Sequence, residues 1–383
     1  MARRGRGEGS IYRRADGRWE GRLDLGWAAG RRRRKTVYGR TRQEVARQVA
    51  LLQRQLEEGR LIDAPRQKVA VFLDEWLGTI EATVRPRTYL TYELYARRHL
   101  IPELGHFQLD RLGPAHVQAM LARKLAEGLQ PQTVAHLRAI LRTALNRAVR
   151  FGLVSRNVAS LTDPPRVERV EIKPLDPDQA RRLLAALEGD SNRALFLLSL
   201  FTGVRRGEAL GLQWADVDLD GAEVRVNRAL QRYRGELHLD PPKTARSRRS
   251  VTIPDVVIEA LRQRRVAQLQ DRLLAGGGWR ESDLVFTTRR GTPIEPRNAV
   301  RSFKLALRRA GLPQAIRLYD LRHSCATLLL IQGVSPRVVM EILGHSQIAL
   351  TMNTYSHVIP ALQREAASKL EALLKPVPQA DQG

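Results

Sequence analysis

The sequence predicts a mainly α chain with small β-sheets: an N-terminal three-stranded sheet plus helix, a helical bundle, and a mixed α/β C-terminal domain. Three observations carry that expectation. Strand-like alternation around Asp16-Gly17 gives way to a capped helix at Thr41. Prolines open a succession of amphipathic segments between Val69 and Leu161. A proline-rich stretch over 162–174 then precedes a second helical region interrupted by β-branched runs.

In the first module, residues 10–14 lead into the hairpin signal Asp16-Gly17, and residues 18–25 then alternate with Trp19 on one face. Gly30 and the run Arg31, Arg32, Arg33, Arg34 and Lys35 precede a third strand over 36–38. Thr41, with Glu44 three residues on, is a capping box opening a helix expected to run to about 58 and to stop at Gly59. The second module is all helix, expected over 69–80, 86–99, 114–125 and 131–151. Pro86, Pro114 and Pro131 each suit a helix start, where the missing N–H is not required. Residues 162–174, with three prolines, form the clearest linker. The last domain opens at Asp176-Pro177, with Gln179 completing a second capping box. Its inserted meander is expected to have strands at 223–230, 237–239 and 250–253, with turns at 233–236 and 241–249 and a further short strand at 285–288. The expected boundaries are 1–62, 66–162, a linker over 163–175, 176–375, and a tail over 376–383.

The chain has 383 residues, 43% hydrophobic and 5% aromatic, with a formal net charge of +25. Such an excess, spread along the whole chain, is the footprint of a phosphate-backbone binder, although ribosomal and membrane-surface proteins share it. The basic strands of the first module suit a major groove, which admits a two-stranded ribbon; the alternative is a basic arm that orders only on DNA. Arginines of the bundle, Arg87 and Arg138 among them, suit a grip on a duplex backbone, while each taken singly reads as a solvated charge. Cys325 is the only cysteine, which excludes an intrachain disulfide and a cysteine metal cluster; its apolar setting reads as a buried structural thiol. No run of about 18 apolar residues occurs, so a cytoplasmic protein without a membrane partner is expected.

Four stretches of the last domain carry chemistry-bearing side chains. Thr202-Gly-Val-Arg-Arg-Gly-Glu208 presents Arg205 at the end of an apolar helix, with Glu208 three residues on. Lys243 lies in the arginine-rich turn that also holds Arg246. Leu318-Tyr-Asp-Leu-Arg-His-Ser324 sets Tyr319 and Arg322 three apart, on one helical face, where they can point at one anion. Leu343-Gly-His345 is followed ten residues after His345 by Tyr355.

Together these motifs resemble the tyrosine recombinases, the phage-integrase family of site-specific DNA recombinases. The matches are Arg205 in TGVRRGEAL, Lys243 in PPKTARSRR, Arg322 in DLRHSCAT, His345 in LGH and Tyr355 in NTYSHV, in the family's order and with ordinary family separations. One position departs: three residues before Arg322 the family usually has histidine, and here stands Tyr319. The resemblance covers most of the chain. It implies a catalytic domain of the tyrosine recombinase fold, preceded by an arm-type DNA-binding domain and a core-binding bundle.

It also implies roles. Arg205 and Arg322, always charged and shaped for bidentate contact, would stabilise negative charge on the nonbridging phosphate oxygens. His345 would donate to the same oxygens or manage the nucleophile's proton, and Tyr319 would be a supporting donor. Tyr355 would form a 3′-phosphotyrosine, and Lys243 would protonate the departing 5′-oxygen. Only eight of the 65 basic residues are lysines, which makes a lysine inside an arginine-rich turn stand out. Glu208 would orient Arg205 or nearby backbone, while Asp320 and His323 would bond backbone and hold Arg322. Arg31, Arg32, Arg33, Arg34, Lys35, Arg87, Arg138 and Arg246 are the candidate DNA contacts. The chemistry needs neither metal nor cofactor, because the bond energy is kept in the covalent intermediate.

The expected partners are double-stranded DNA with specific sites and three further copies of the chain on paired sites, with room for DNA-bending accessory proteins. A leucine stripe over 360–374 suits packing on its own domain or, the favoured reading, docking on a neighbouring copy. Two other readings stand beside integration or excision of a mobile element: type IB topoisomerase-like relaxation, and a non-catalytic DNA-binding regulator.

Overall fold

A computed structural model describes residues 10–28, 31–57, 67–168, 174–242 and 247–344, together with 367, 370, 371 and 374. The chain forms two compact units, residues 1–169 and 170–383.

The first unit begins with an antiparallel sheet in the order β1 (Ser10–Arg13), β2 (Trp19–Ala28), β3 (Arg31–Gly39). Helix α1 (Arg42–Glu57) covers one face, seating Val45 and Val49 against Leu23 and against Gly21, where a Cβ would meet their methyl groups at 2.6 Å. The cap at Thr41 forms as expected in one direction, the Glu44 N–H donating to Oγ1 at 3.1 Å; the Glu44 carboxylate reaches the N–H of Arg40, not that of Thr41.

The bundle comprises α2 (Val69–Ile80), α3 (Pro86–Tyr95), α4 (Ile101–Leu104), α5 (Pro114–Ala126) and α6 (Pro131–Arg150). The helix expected to end at 99 continues to Leu104 through a π turn, Ala96–Leu100. Pro102 is the physical reason: it cannot donate an i−4 bond, and a wider turn absorbs the missing donor. Leu73, Leu100, Met120, Leu137 and Leu141 fill the core, and Trp76 stacks on Tyr92 at 5.6 Å.

The second unit opens with α7 (Pro177–Ala186), capped reciprocally by Asp176 and Gln179. Next come α8 (Arg193–Thr202) and α9 (Arg206–Leu210), then a sheet of β4 (Val217–Asp218), β5 (Glu223–Val226) and β8 (Arg249–Thr252), with a separate hairpin of β6 (Ala229–Tyr233) and β7 (Glu236–Asp240). Helices α10 (Asp255–Ala275), α11 (Pro296–Arg309), α12 (Asp320–Ile331) and α13 (Pro336–Leu343) complete it. Phe196, Phe286, Phe303 and Leu321 lie at its centre.

Two expected strands differ. The stretch 223–230 splits into β5 and β6 of different sheets, because Asp216 draws off Asn227 at 2.8 Å and Arg228 at 2.7 Å and turns the chain between them. The segment 285–288 makes no strand: it holds the isolated bridge Thr287–Pro293 and the Val285 N–H donates to Leu212 O at 2.9 Å, while the buried guanidinium of Arg264 takes the carbonyls of Val285 and Thr287 that a ladder would need. Among the described residues no helix is long and apolar enough to cross a membrane.

Candidate active site

The site is assembled where α8 ends. Gly203 caps α8 in the left-handed region (φ 60°), and a Cβ there would lie 2.5 Å from Leu343 Cδ2. The chain then extends through Arg205, the N-cap of α9, and Glu208 in the first turn of α9 folds back to accept the Arg205 N–H at 2.9 Å. Glu208 is buried, and both its oxygens are taken by guanidiniums: Arg205 Nη1 at 2.7 Å and Arg249 Nη2 at 3.1 Å. Glu208 thus bonds both the Arg205 side chain and its backbone N–H.

Arg249 is a residue the sequence reading passed over. At the start of β8 it donates through Nε to the Ile342 carbonyl at 2.7 Å and through Nη1 to Ser247 O at 3.1 Å. Arg322, on the first turn of α12, donates to Gly203 O and Leu343 O, each at 2.6 Å. Two buried arginines therefore cap the last carbonyls of α13, groups that no further helical turn can satisfy. A signal for Arg249 did exist: on a strand it shares the inward face with Val251, two residues on.

The electrostatics are lopsided. Among the described residues, two guanidiniums bond one carboxylate and a third, that of Arg322, lies within electrostatic reach of it, a formal charge of +2. Burial, then repulsion from Arg205 and Arg249, lowers Arg322 to about 10. Burial likewise lowers Arg249. Glu208 responds in the other sense: burial pushes it up, but Arg249 and Arg205 outweigh that and hold it below the usual glutamate range. Of the three cations, Arg205 reaches solvent, with 34% of its side chain exposed.

Tyr319 immediately precedes α12, is 46% exposed, and bonds no described residue through its hydroxyl; its ring meets His323 edge-on at 5.2 Å. His323 is half-buried, and burial lowers its pKa. Asp320 bonds backbone as expected, accepting from the Arg317 N–H at 2.8 Å, but it does not hold Arg322. Its second partner is Arg317 Nη2 at 2.8 Å, because three residues back along the chain is within a carboxylate's reach and the Arg322 fork turns inward to carbonyls. Arg138 is also diverted, donating to Thr162 Oγ1 at 2.9 Å and Thr162 O at 2.5 Å, so two of its donors brace the end of the bundle. Arg87 is exposed near the start of α3, and Arg31, Arg32, Arg33, Arg34 and Lys35 lie on β3. Lys243, Arg246, His345 and Tyr355 lie outside the described residues.

Burial pushes the Cys325 thiol up to about 12, and its Sγ sits 3.6 Å from Phe201 O. The folded protein is therefore expected to resist iodoacetamide at pH 8 and to be alkylated once unfolded, as mass spectrometry would report; labelling of the native chain at the rate of a free thiol contradicts that burial.

Residues 173–361 match the model of the phage integrase family, and residues 69–125 match that of the phage integrase N-terminal SAM-like domain. An integrase of Streptomyces ambofaciens is 31% identical over 97% of this chain and 98% of its own. The chain belongs to the phage integrase family. The Tn1549 transposon integrase, solved with circular intermediate DNA, is similar in fold, with a TM-score of 0.67 at 21% identity over 79% of this chain and 99% of that one. So is lambda integrase, solved as a tetramer on a Holliday junction, with a TM-score of 0.56 at 18% identity over 90% of this chain and 94% of that one. The family match to this integrase spans Arg205, Arg249 and Arg322 as well as Lys243, His345 and Tyr355.

Proposed function

We propose that this integrase is a site-specific DNA recombinase that cleaves and rejoins strands through a 3′-phosphotyrosine at Tyr355, integrating or excising a mobile element. The observation that carries the reading is the uncompensated positive charge around Glu208: three guanidiniums with one carboxylate are an anion short, and a phosphodiester supplies that anion.

Arg205, the exposed member, contacts a nonbridging oxygen, while Arg322 and Arg249 sustain the field behind it. The Tyr355 oxygen attacks phosphorus as its proton leaves, with His345 hydrogen-bonding the phosphate or taking part in that transfer. The P–O5′ bond breaks, and Lys243 gives the departing oxygen its proton. Attack by a 5′-hydroxyl of another strand reverses the sequence and frees the tyrosine. Residues 1–62 read arm-type sites, 66–162 grip the core site, and four copies act on paired sites, as the lambda integrase tetramer of the same fold suggests.

A synaptic assay tests the function. DNA carrying two copies of the chain's own sites is expected to yield site-dependent recombinant products without ATP, whereas site-independent relaxation of supercoils, with no exchange, points to a topoisomerase.

Tyr319, exposed and bonding no described residue through its hydroxyl, is the donor at the position where the family has histidine. Tyr319→Phe is expected to slow cleavage about tenfold or more, the loss of one hydrogen bond to a charged group, and Tyr319→His to be closer to wild type. Single-turnover cleavage at an unchanged rate in Tyr319→Phe reduces the side chain to packing.

A further inference from the structure

The face of the N-terminal sheet opposite α1 carries a buried carboxylate that the sheet itself does not require. Pairing places Tyr12, Glu20 and Tyr38 in one row and Ser10, Arg22 and Thr36 in the next, on the side away from Gly21 and Leu23. Glu20 is only 2% exposed although no helix covers it. Its cover is its own partners: Tyr12 Oη donates to Oε1 at 2.5 Å, Arg22 Nε to Oε1 at 2.6 Å, and Arg14 Nη1 to Oε2 at 3.0 Å. The guanidiniums are also seated on rings, Arg22 5.1 Å from the Tyr12 centroid and Arg14 5.4 Å from that of Tyr38.

A buried carboxylate is costly, and a β-branched residue would serve a sheet position more cheaply. The arrangement gives orientation. Glu20 engages Nε of Arg22, the Tyr12 hydroxyl interacts with the same guanidinium, and 45% of that side chain is exposed. An end-on pair of Nη donors is the fork that fits guanine O6 and N7 in the major groove, the edge that distinguishes guanine from the other bases there. Arg14 differs: Nη1 is held by Glu20 and Nε lies 3.4 Å from Asp16, so its end-on fork is already engaged.

We propose that Glu20 is a positioning residue that aims the Arg22 fork at a guanine, so that Glu20 sets base specificity while contributing nothing to backbone affinity. The proposal rests on the reading of residues 1–62 as a DNA-binding module.

The test is selection of randomised duplexes by the full-length protein at fixed salt, followed by sequencing, with non-specific affinity measured against salt on an unselected duplex. Wild type is expected to select a guanine that Arg22→Lys loses by about tenfold or more, since lysine keeps the charge but not the fork. Glu20→Gln and Glu20→Asp are expected to weaken preference at that same position several-fold, with the salt dependence of non-specific binding unchanged or steeper. A merely structural role would lower specific and non-specific binding together, and that result overturns the proposal. Loss of the preference in Arg22→Lys with full retention in both Glu20 variants overturns the proposal alone. A selected sequence and non-specific affinity both indifferent to Arg22→Ala overturn the proposal and the DNA-binding reading of the module. Glu20→Asp keeps the charge with a shorter reach, so it carries the test if Glu20→Gln fails to fold.

Discussion

Tyr355→Phe is expected to abolish the covalent adduct on a nicked suicide substrate, a loss on the order of 10⁴-fold or more in cleavage, with DNA binding intact. A phenol has a pKa near about 10, so it attacks phosphorus only where its ionisation is favoured and the charge arriving on the phosphate is met. On the proposed mechanism that field comes from Arg205, Arg249 and Arg322, and loss of the phenolic oxygen would leave it with no nucleophile to use it. The adduct is read as a protease-sensitive shift of labelled DNA in a denaturing gel. The strict competitor is Tyr319, exposed, bonding no described residue through its hydroxyl and three residues before Arg322. An adduct that survives Tyr355→Phe and disappears in Tyr319→Phe would exchange the two assignments.

Arg249→Met is expected to destabilise the C-terminal unit by about 3 kcal/mol or more, because it strands a buried carboxylate with one partly exposed partner and uncovers the Ile342 carbonyl. The double variant Glu208→Gln with Arg249→Met should recover part of that loss, since the penalty is for the unpaired charge more than for the missing bond. Denaturant unfolding, followed by a probe in residues 170–383, measures both. Acid should act through the same pair. Glu208 is held below its ordinary value when folded, so its stabilising contribution is complete above the unfolded glutamate pKa of about 4.3 and is lost as pH falls through the depressed folded value. In Arg249→Met the carboxylate has lost its largest favourable influence, and the acid limb should begin at higher pH. An Arg249→Met chain with the wild-type midpoint and acid limb would show the contact to be incidental.

What was legible in the sequence was local and periodic. Prolines 86, 114, 131 and 177 mark helix starts because a residue without an N–H is cheap only there, and Asp176 with Gln179 writes its cap in four residues. The turn Arg234-Gly235 takes positive φ at both positions, as a two-residue hairpin demands. What stayed hidden depended on partners distant in sequence. Nothing near 227 announces that Asp216 will turn the strand, and nothing near 285 announces that Arg264 will take its carbonyls. The same holds in the site. Arg205 and Arg322 are readable because their motifs are compact, whereas strand alternation marks Arg249 only as inward-facing, and its partner, the end of α13, lies 93 residues further on. Asp320 bonds backbone as its position suggests, but its guanidinium partner is hidden for a related reason: Arg317 and Arg322 are both close in sequence, and only the inward turn of Arg322 decides between them.

Gly203 sets a limit on how this integrase can drift. Its backbone angle already disfavours any L side chain, and the 2.5 Å gap to Leu343 removes even the room for a methyl group. The same two residues carry the Arg322 anchors, Gly203 O and Leu343 O, and they pack so closely that the space a Cβ would take is already filled by the leucine side chain. Substitution there would act as a wedge, prising apart the two carbonyls that one guanidinium spans, so the alignment of motifs 140 positions distant is maintained by an atom that is not there.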